Sequence, residues 1–204
     1  MSRVSLLLWD VGGVVLSNAW DHANRAAAAH RFGLDASGLE SRHERVEEAF
    51  EGGRLDLAGY LSATVFDATR SFPPEEFWAF MRGCSTANPA ALDCARALRA
   101  EGRYVMATLN NESRELNEYR IATFHLRDAF HLFLSSCYTG RRKPDPRAYE
   151  YALQVTQREP DEALFLDDRR ENVEAASRLG LRTLWVRDPG HLREDLASEG
   201  IAAA

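Results

Sequence analysis

Five short runs of near-continuous apolar character punctuate the chain, at residues 4–9, 104–109, 131–134, 163–166 and 181–186. Each is of strand length, and apolar side chains at successive positions are what a strand buried on both faces requires. The segments between them carry helix punctuation. Pro89 opens a predicted helix over 89–100 that Gly102 follows, Pro146 leads into 147–157, and Gly180 closes 171–179. Strands alternating with helices predict an α/β chain, a Rossmann-like parallel sheet flanked by helices.

Residues 10–103 separate the first two runs, far more chain than one crossover helix needs, so this connection must hold structure of its own. Its pattern is helical. Residues 19–31 are alanine-rich, 39–50 and 57–68 set charged and apolar residues at helical spacing, and 75–82 adds a fourth short helix. Gly52-Gly53 and Pro73-Pro74 mark the breaks. The expected division is a Rossmann-like core of residues 1–17 and 86–204, with a small α-helical cap domain over 18–85.

Polar clusters follow three of the predicted strands, and in open α/β sheets ligands bind beyond the carboxyl ends of the strands. The first is Trp9-Asp10-Val11-Gly12-Gly13, the second Thr108-Leu109-Asn110-Asn111-Glu112, the third Asp167-Asp168-Arg169-Arg170-Glu171-Asn172; Lys143 stands before Pro144-Asp145-Pro146. Three carboxylates gathered at one sheet edge would repel unless a cation neutralised them, and oxygen-only ligands suit magnesium. The Gly12-Gly13 pair lets the backbone turn tightly where the strand ends, so that backbone groups can face a metal and a phosphate.

This ordered set resembles the four motifs of the haloacid dehalogenase superfamily, and the helical insertion after the first motif is similar to that family's cap. In pattern the chain looks like the small sugar-phosphate phosphatases of the superfamily. The resemblance implies that Asp10 is a carboxylate nucleophile that forms an aspartyl-phosphate, with Lys143 neutralising charge on it and on the phosphate oxygens. It implies Mg2+ held by Asp10, the Gly12 carbonyl, Asp167 and Asp168. Asn110 foremost, with Asn111, Thr108 and Lys143, would bind the phosphate.

Two positions depart from the family pattern. Phosphatases of the family usually carry an aspartate two residues after the nucleophile as general acid and base, and here that position is Gly12. A serine or threonine is usual just before Asn110, and here it is Leu109; Thr108 is one residue early and shares a strand face with Asn110. Taken singly the motif residues have plain structural readings: Asp10 as a turn aspartate, Asp167-Asp168 at a helix start, Lys143 in a solvated loop, Asn172 as a loop stabiliser. His22 is a candidate for the missing proton transfer. Trp20, Glu47 and Phe50 are candidates for the cap side of the pocket, although helix packing accounts for the aromatics.

Composition narrows the alternatives. With 25 basic against 31 acidic residues the chain lacks the basic excess of a nucleic-acid binder. Cys84, Cys94 and Cys137 are widely spaced and odd in number, which fits neither a disulfide framework nor a zinc site and points to a cytoplasmic setting. Residues 4–9 are too short for a signal peptide's apolar region or a membrane span. The expected partner is a small phosphorylated molecule; oligomeric state is left open. The reading is a magnesium-dependent hydrolase acting on small phosphomonoesters. Its alternatives are a 2-haloacid dehalogenase-type hydrolase, which would attack carbon, and a pseudoenzyme that only binds phosphate.

Overall fold

The computed structural model describes residues 3–201. Five strands, β1 (Leu6–Trp9), β2 (Val105–Thr108), β3 (Leu132–Phe133), β4 (Ala163–Asp167) and β5 (Arg182–Trp185), form one sheet in the order β3-β2-β1-β4-β5. Every pairing is parallel, with Trp9 opposite Thr108 on one side and Leu166 on the other. The α/β architecture follows the sequence pattern, and so does the two-faced burial. Leu7, Trp9, Met106, Leu164 and Leu166 feed one apolar cluster, while Leu6, Leu8, Ala107, Ala163 and Phe165 feed the other. That is the period of two made physical: successive side chains leave opposite faces of the pleat.

Ten α-helices accompany the sheet among the described residues: α1 (His22–Phe32), α2 (Ala36–Glu51), α3 (Leu57–Thr64), α4 (Pro74–Gly83), α5 (Pro89–Glu101), α6 (Arg114–Thr123), α7 (Ser136–Thr139), α8 (Pro146–Thr156), α9 (Arg170–Arg178) and α10 (Leu192–Ser198). The first four lie between β1 and β2 and share a third cluster built on Trp20, Leu39, Phe50, Tyr60 and Phe77, to which α6 contributes Leu116. The two chain crossings into this layer are zipped together: Ser17 N–H donates to Thr86 O at 2.8 Å, and Thr86 N–H to Ser17 Oγ at 2.9 Å. No helix among the described residues is long and apolar enough to cross a membrane.

Several boundaries differ from the expectation, each for a local reason. The first helix starts at His22, not at 19, because Trp20 is left-handed (φ 66°) and Asp21 caps the helix by accepting from Asn24 N–H. Asp35 likewise starts α2 at Ala36 by accepting from Gly38 N–H. α3 ends at Thr64, short of 68, and Arg70 Nε donates to the carbonyl of Val65 just beyond it. β3 shrinks to two residues, and β5 is an edge strand whose Trp185 is 41% exposed, so its apolar run does not mean burial on both faces. The helices α6, α7 and α10 were not expected; α6 is largely polar and α7 spans only four residues.

The strand order reverses beside β1. The chain builds β2 and β3 on one side of it, then crosses to β4 and β5 on the other. Such a switch point opens a crevice at the carboxyl ends of the flanking strands. Asp10 leaves β1 there, its N–H bonded to Leu166 O of β4 at 2.8 Å, and Asp167 ends β4 alongside.

Candidate active site

At this crevice the chain gathers the motif residues that it spaces far apart. Oxygens of Asp10, Asp167 and Asp168 lie within 4.8 Å of one another. Lys143, 5% exposed, reaches between them: its Nζ stands 3.0 Å from Asp10 Oδ1 and 2.5 Å from Asp167 Oδ2. Asp10 Oδ1 also accepts from Val11 N–H at 2.8 Å. Asn111 clamps the lysine's backbone from both sides, donating to Lys143 O at 2.8 Å and accepting from Lys143 N–H at 2.9 Å.

The three carboxylates are not equivalent. Asp167 is fully buried and saturated: Oδ1 accepts from Arg169 N–H and Asn172 Nδ2, and Oδ2 from Lys143 and Asn172 Nδ2. Asn172 thus does what a loop stabiliser should. Asp168 Oδ2 accepts from Asn18 Nδ2 at 2.8 Å, and its carbonyl from Trp185 Nε1 at 2.9 Å, but Oδ1 is buried with no hydrogen-bond partner. A buried carboxylate oxygen without a donor is costly unless something else satisfies it. Burial pushes Asp10 up to about 7, against the pull of Lys143 and with the repulsion of Asp167. Burial also works to lower the Lys143 ammonium, but Asp10 and Asp167 outweigh it and hold it above its ordinary range.

Glycine makes this close approach feasible. At Gly13 (φ +72°) a Cβ would lie 2.1 Å from Asp168 Oδ2, so any side chain would push the carboxylate away. At Gly12 a Cβ would lie 2.7 Å from Asn18 Oδ1. The amide of Asn18 therefore fills the space into which a residue at position 12 would project, and turns its donor to Asp168.

The remaining nominated residues stand apart from the crevice wall. Thr108 is fully buried on β2 with its hydroxyl unpartnered. Asn110 is 3% exposed and turned inward, its Oδ1 accepting from Ser135 Oγ at 2.8 Å and its Nδ2 donating to Asn117 Oδ1 at 3.3 Å. Leu109 belongs to the second apolar cluster. Thr108 and Asn110 do share a face, as strand alternation requires, but that face leads into packed protein. Of the nominated residues after β2, only Asn111 reaches the cavity.

That cavity, about 240 Å³, has Asp10, Gly12 and Lys143 on one wall and α1 and α2 on the other. The second wall is polar and ionic. His43, Glu47 and Glu51 line it at a spacing of four on α2, one helical stripe that was legible in the sequence but only partly nominated. Trp20 and Phe50 line it too, while His22, on the cavity's rim, is paired with Glu40 at 3.2 Å and 79% exposed in its side chain. Trp20 Nε1 donates to Tyr60 Oη at 2.7 Å, and Tyr60 Oη meets His43 Nδ1 at 2.9 Å. Burial, with Arg25 nearby, pushes His43 down to about 4. Arg142 Nη2 contacts Glu51 Oε2 at 2.7 Å and lies 3.7 Å from Glu47 Oε1. Behind it, Arg120 and Glu112 form a buried pair at 2.8 Å, with Arg120 also donating to Ser17 O and Ser85 Oγ.

Known proteins share both sequence and fold with this chain. Residues 4–180 match the family of haloacid dehalogenase-like hydrolases. The phosphoglycolate phosphatase of Aquifex aeolicus is 26% identical over 192 residues, covering 88% of this chain and 84% of its own. Rat bifunctional epoxide hydrolase 2 is 27% identical over 129 residues, 62% of this chain but only 23% of that protein. Among solved structures, the enzyme bt-2542 of Bacteroides thetaiotaomicron, in complex with magnesium and inorganic phosphate, superposes with a TM-score of 0.75 at 20% identity over 93% of this chain and 98% of its own. With the family match spanning most of its length and the fold agreeing, the chain belongs to the haloacid dehalogenase-like hydrolases.

Proposed function

We propose that this hydrolase is a magnesium-dependent phosphatase of small phosphomonoesters, working through an aspartyl-phosphate on Asp10. The observation that carries the reading is the asymmetry of the carboxylates: Asp10 presents Oδ1 to Val11 N–H and the Lys143 ammonium, and Asp168 Oδ1 is buried beside it without a donor. Both contacts of Asp10 fall on one oxygen, which leaves Oδ2 to attack phosphorus. As the Oδ2–P bond forms, the bond from phosphorus to the ester oxygen breaks; water then displaces Asp10 and releases phosphate. Lys143 neutralises charge on Asp10 and on the transferring oxygens, a fixed electrostatic contribution.

The residues present fit a magnesium ion. Asp10, the Gly12 carbonyl and Asp168 would hold it through oxygen alone, and the unsatisfied Asp168 Oδ1 is the natural ligand atom. Asp167, with both oxygens taken by protein donors, serves better as the anchor of Lys143 than as a direct ligand. When bound, such an ion screens the negative charge that gathers as a phosphate approaches three carboxylates. For phosphate binding we favour Lys143 and Asn111 over Asn110 and Thr108, whose side chains are engaged or enclosed elsewhere.

Helices α1–α4 would serve as the cap, their cavity wall selecting the leaving group. A cavity of about 240 Å³ with arginine, glutamate and histidine in its wall suits a small polar alcohol rather than a lipid. The three free cysteines accord with a reducing, cytoplasmic setting.

Purified protein with magnesium should hydrolyse an aryl phosphate, and Asp10→Asn should abolish the turnover. Absence of turnover in a broad phosphomonoester screen, or turnover indifferent to Asp10→Asn, contradicts the reading.

A further inference from the structure

Expelling an alkoxide from phosphorus calls for a proton donor at the leaving oxygen, and position 12 offers none. Its space is taken as well, since Asn18 Oδ1 sits 2.7 Å from where a Cβ would stand. A donor must therefore come from another wall of the cavity.

Most titratable groups there are already engaged. Asp21 is spent capping α1, accepting from Asn24 N–H at 2.8 Å. Glu112 is bound by Arg120 at 2.8 Å and by Ser113 N–H at 2.9 Å. Tyr60 accepts from the Trp20 indole, so its own hydroxyl proton is free to go to His43 Nδ1. His43 is then the neutral Nε2–H tautomer, and a neutral imidazole is a poor acid. His22 is largely exposed and paired with Glu40. Two carboxyls remain, Glu47 and Glu51, whose side chains are 40% and 22% exposed.

Glu51 is the better held and the drier of the two. Its backbone carbonyl accepts from Ser136 Oγ at 2.7 Å, which pins the end of α2 to the start of α7 after β3. Its Oε2 meets Arg142, the residue directly before Lys143, at 2.7 Å, but the contact is not aligned as a hydrogen bond. Burial outweighs Arg142, with Glu47 and Glu112 adding repulsion, and pushes the carboxyl up to about 7. A carboxyl of that kind is matched to proton transfer near neutral pH.

We propose that Glu51 is the acid and base of this reaction, standing on the cap wall in place of the family's aspartate; this rests on the phosphatase reading above. In the first step Asp10 Oδ2 bonds to phosphorus, the P–O bond to the leaving group breaks, and the Glu51 proton passes to that oxygen, leaving Glu51 a carboxylate. In the second, Glu51 takes a proton from the attacking water as the new P–O bond forms and the Asp10–phosphorus bond breaks. Both partners return to their starting states.

Leaving-group dependence is the test. Glu51→Gln and the wild type, with magnesium, are compared on p-nitrophenyl phosphate and on a simple alkyl phosphate across pH. Because p-nitrophenolate departs without protonation and kcat/KM reports only formation of the aspartyl-phosphate, the variant's kcat/KM should fall less than about tenfold on the aryl ester but about 10²-fold or more on the alkyl ester, while kcat, which includes the base-assisted hydrolysis, should fall on both. The wild-type decline in alkyl turnover as pH rises through about 7 should vanish in the variant. Glu47→Gln should show no split between the esters, and Glu51→Asp should recover part of the alkyl rate, which also covers a glutamine variant that fails to fold. Equal losses in kcat/KM on both esters, or the split appearing in Glu47→Gln instead, overturn the assignment of Glu51 while Asp10-dependent aryl turnover keeps the phosphatase reading. A wild type inert on every ester overturns both.

Discussion

The two walls of the cavity are built on opposite principles. At the sheet edge, Lys143 is locked by Asn111 through its backbone and by two carboxylates through its ammonium, and Asp167 has no oxygen to spare. On the α2 wall, Glu51 touches Arg142 without alignment, Glu47 lies 3.7 Å from the same guanidinium, and a chain of single hydrogen bonds links Trp20, Tyr60 and His43. The contrast teaches where precision is needed. On the proposed phosphatase reading, charge developing at phosphorus would be served by groups already oriented before reaction, whereas recognition and proton transfer would need a wall that adjusts to its guest.

The sharpest way to break this contrast is Lys143→Met, which leaves Asp10 and Asp167 buried without their cation. Loss of one partner of a buried ion pair costs about 3–5 kcal/mol, and loss of one fixed electrostatic donor about 10²–10³ in turnover. Thermal melts and kcat on an aryl phosphate should both fall steeply; an unchanged melting temperature would mean that the sheet edge is less rigidly built than its hydrogen bonds imply.

A smaller effect tests the coupling between Gly12 and Asn18. Gly12→Asp should not restore the family's usual chemistry, because its Cβ displaces Asn18 and frees Asp168 Oδ2. Removing a hydrogen bond to a charged group costs about 1.5–3 kcal/mol, so kcat/KM should drop about tenfold or more. Asn18→Ala, which removes the same hydrogen bond, should cost about as much, and the double variant no more than either alone. If the single substitution raises activity by itself, Asn18 is not the obstacle.

The mildest effect belongs to the α1–α2 wall and appears with acid. Arg25, with His22, holds Glu40 down at about 2, and burial holds His43 down at about 4. Both are depressed from their ordinary values, so each contributes stability that is complete above its unfolded pKa and lost as pH falls through the folded one. Asp10 and Glu51, both raised to about 7, gain stability as pH falls from about 7 toward 4, so the His43 and Glu40 contributions show as differences between curves: relative to His43→Gln the wild type should lose stability as pH falls from about 6.5 toward 4, and relative to Glu40→Gln as it falls from about 4.5 toward 2. Wild-type and variant curves that run parallel would show that the acid loss arises elsewhere.

The sequence carried the sheet edge well and the opposite, helical wall poorly, for a physical reason. A parallel strand buried on both faces must be apolar throughout, so β1, β2 and β4 announce themselves, and polar residues at their ends stand out against that background. Edge position hid the shortness of β3 and the exposure of β5. The residues after β2 were harder: alternation paired Thr108 with Asn110, but only the packing of Ser135 and Asn117 reveals that this face is closed. On α2 the stripe of His43, Glu47 and Glu51 is visible at i, i+4 spacing, yet a polar stripe on a helix ordinarily faces water. Its burial against Arg142 is a tertiary fact. Asn18, six residues after Gly12 in the chain, carried no signal at all, because its contact with Asp168 joins residues 150 apart.

The most direct test of the account is to quench wild-type enzyme rapidly during turnover of a phosphomonoester with magnesium and to map phosphorylated peptides by mass spectrometry. The account predicts an acid-stable, hydroxylamine-labile phosphoryl group on the peptide bearing Asp10, absent from Asp10→Asn. Turnover with no such adduct, or an adduct that persists in Asp10→Asn, would contradict it.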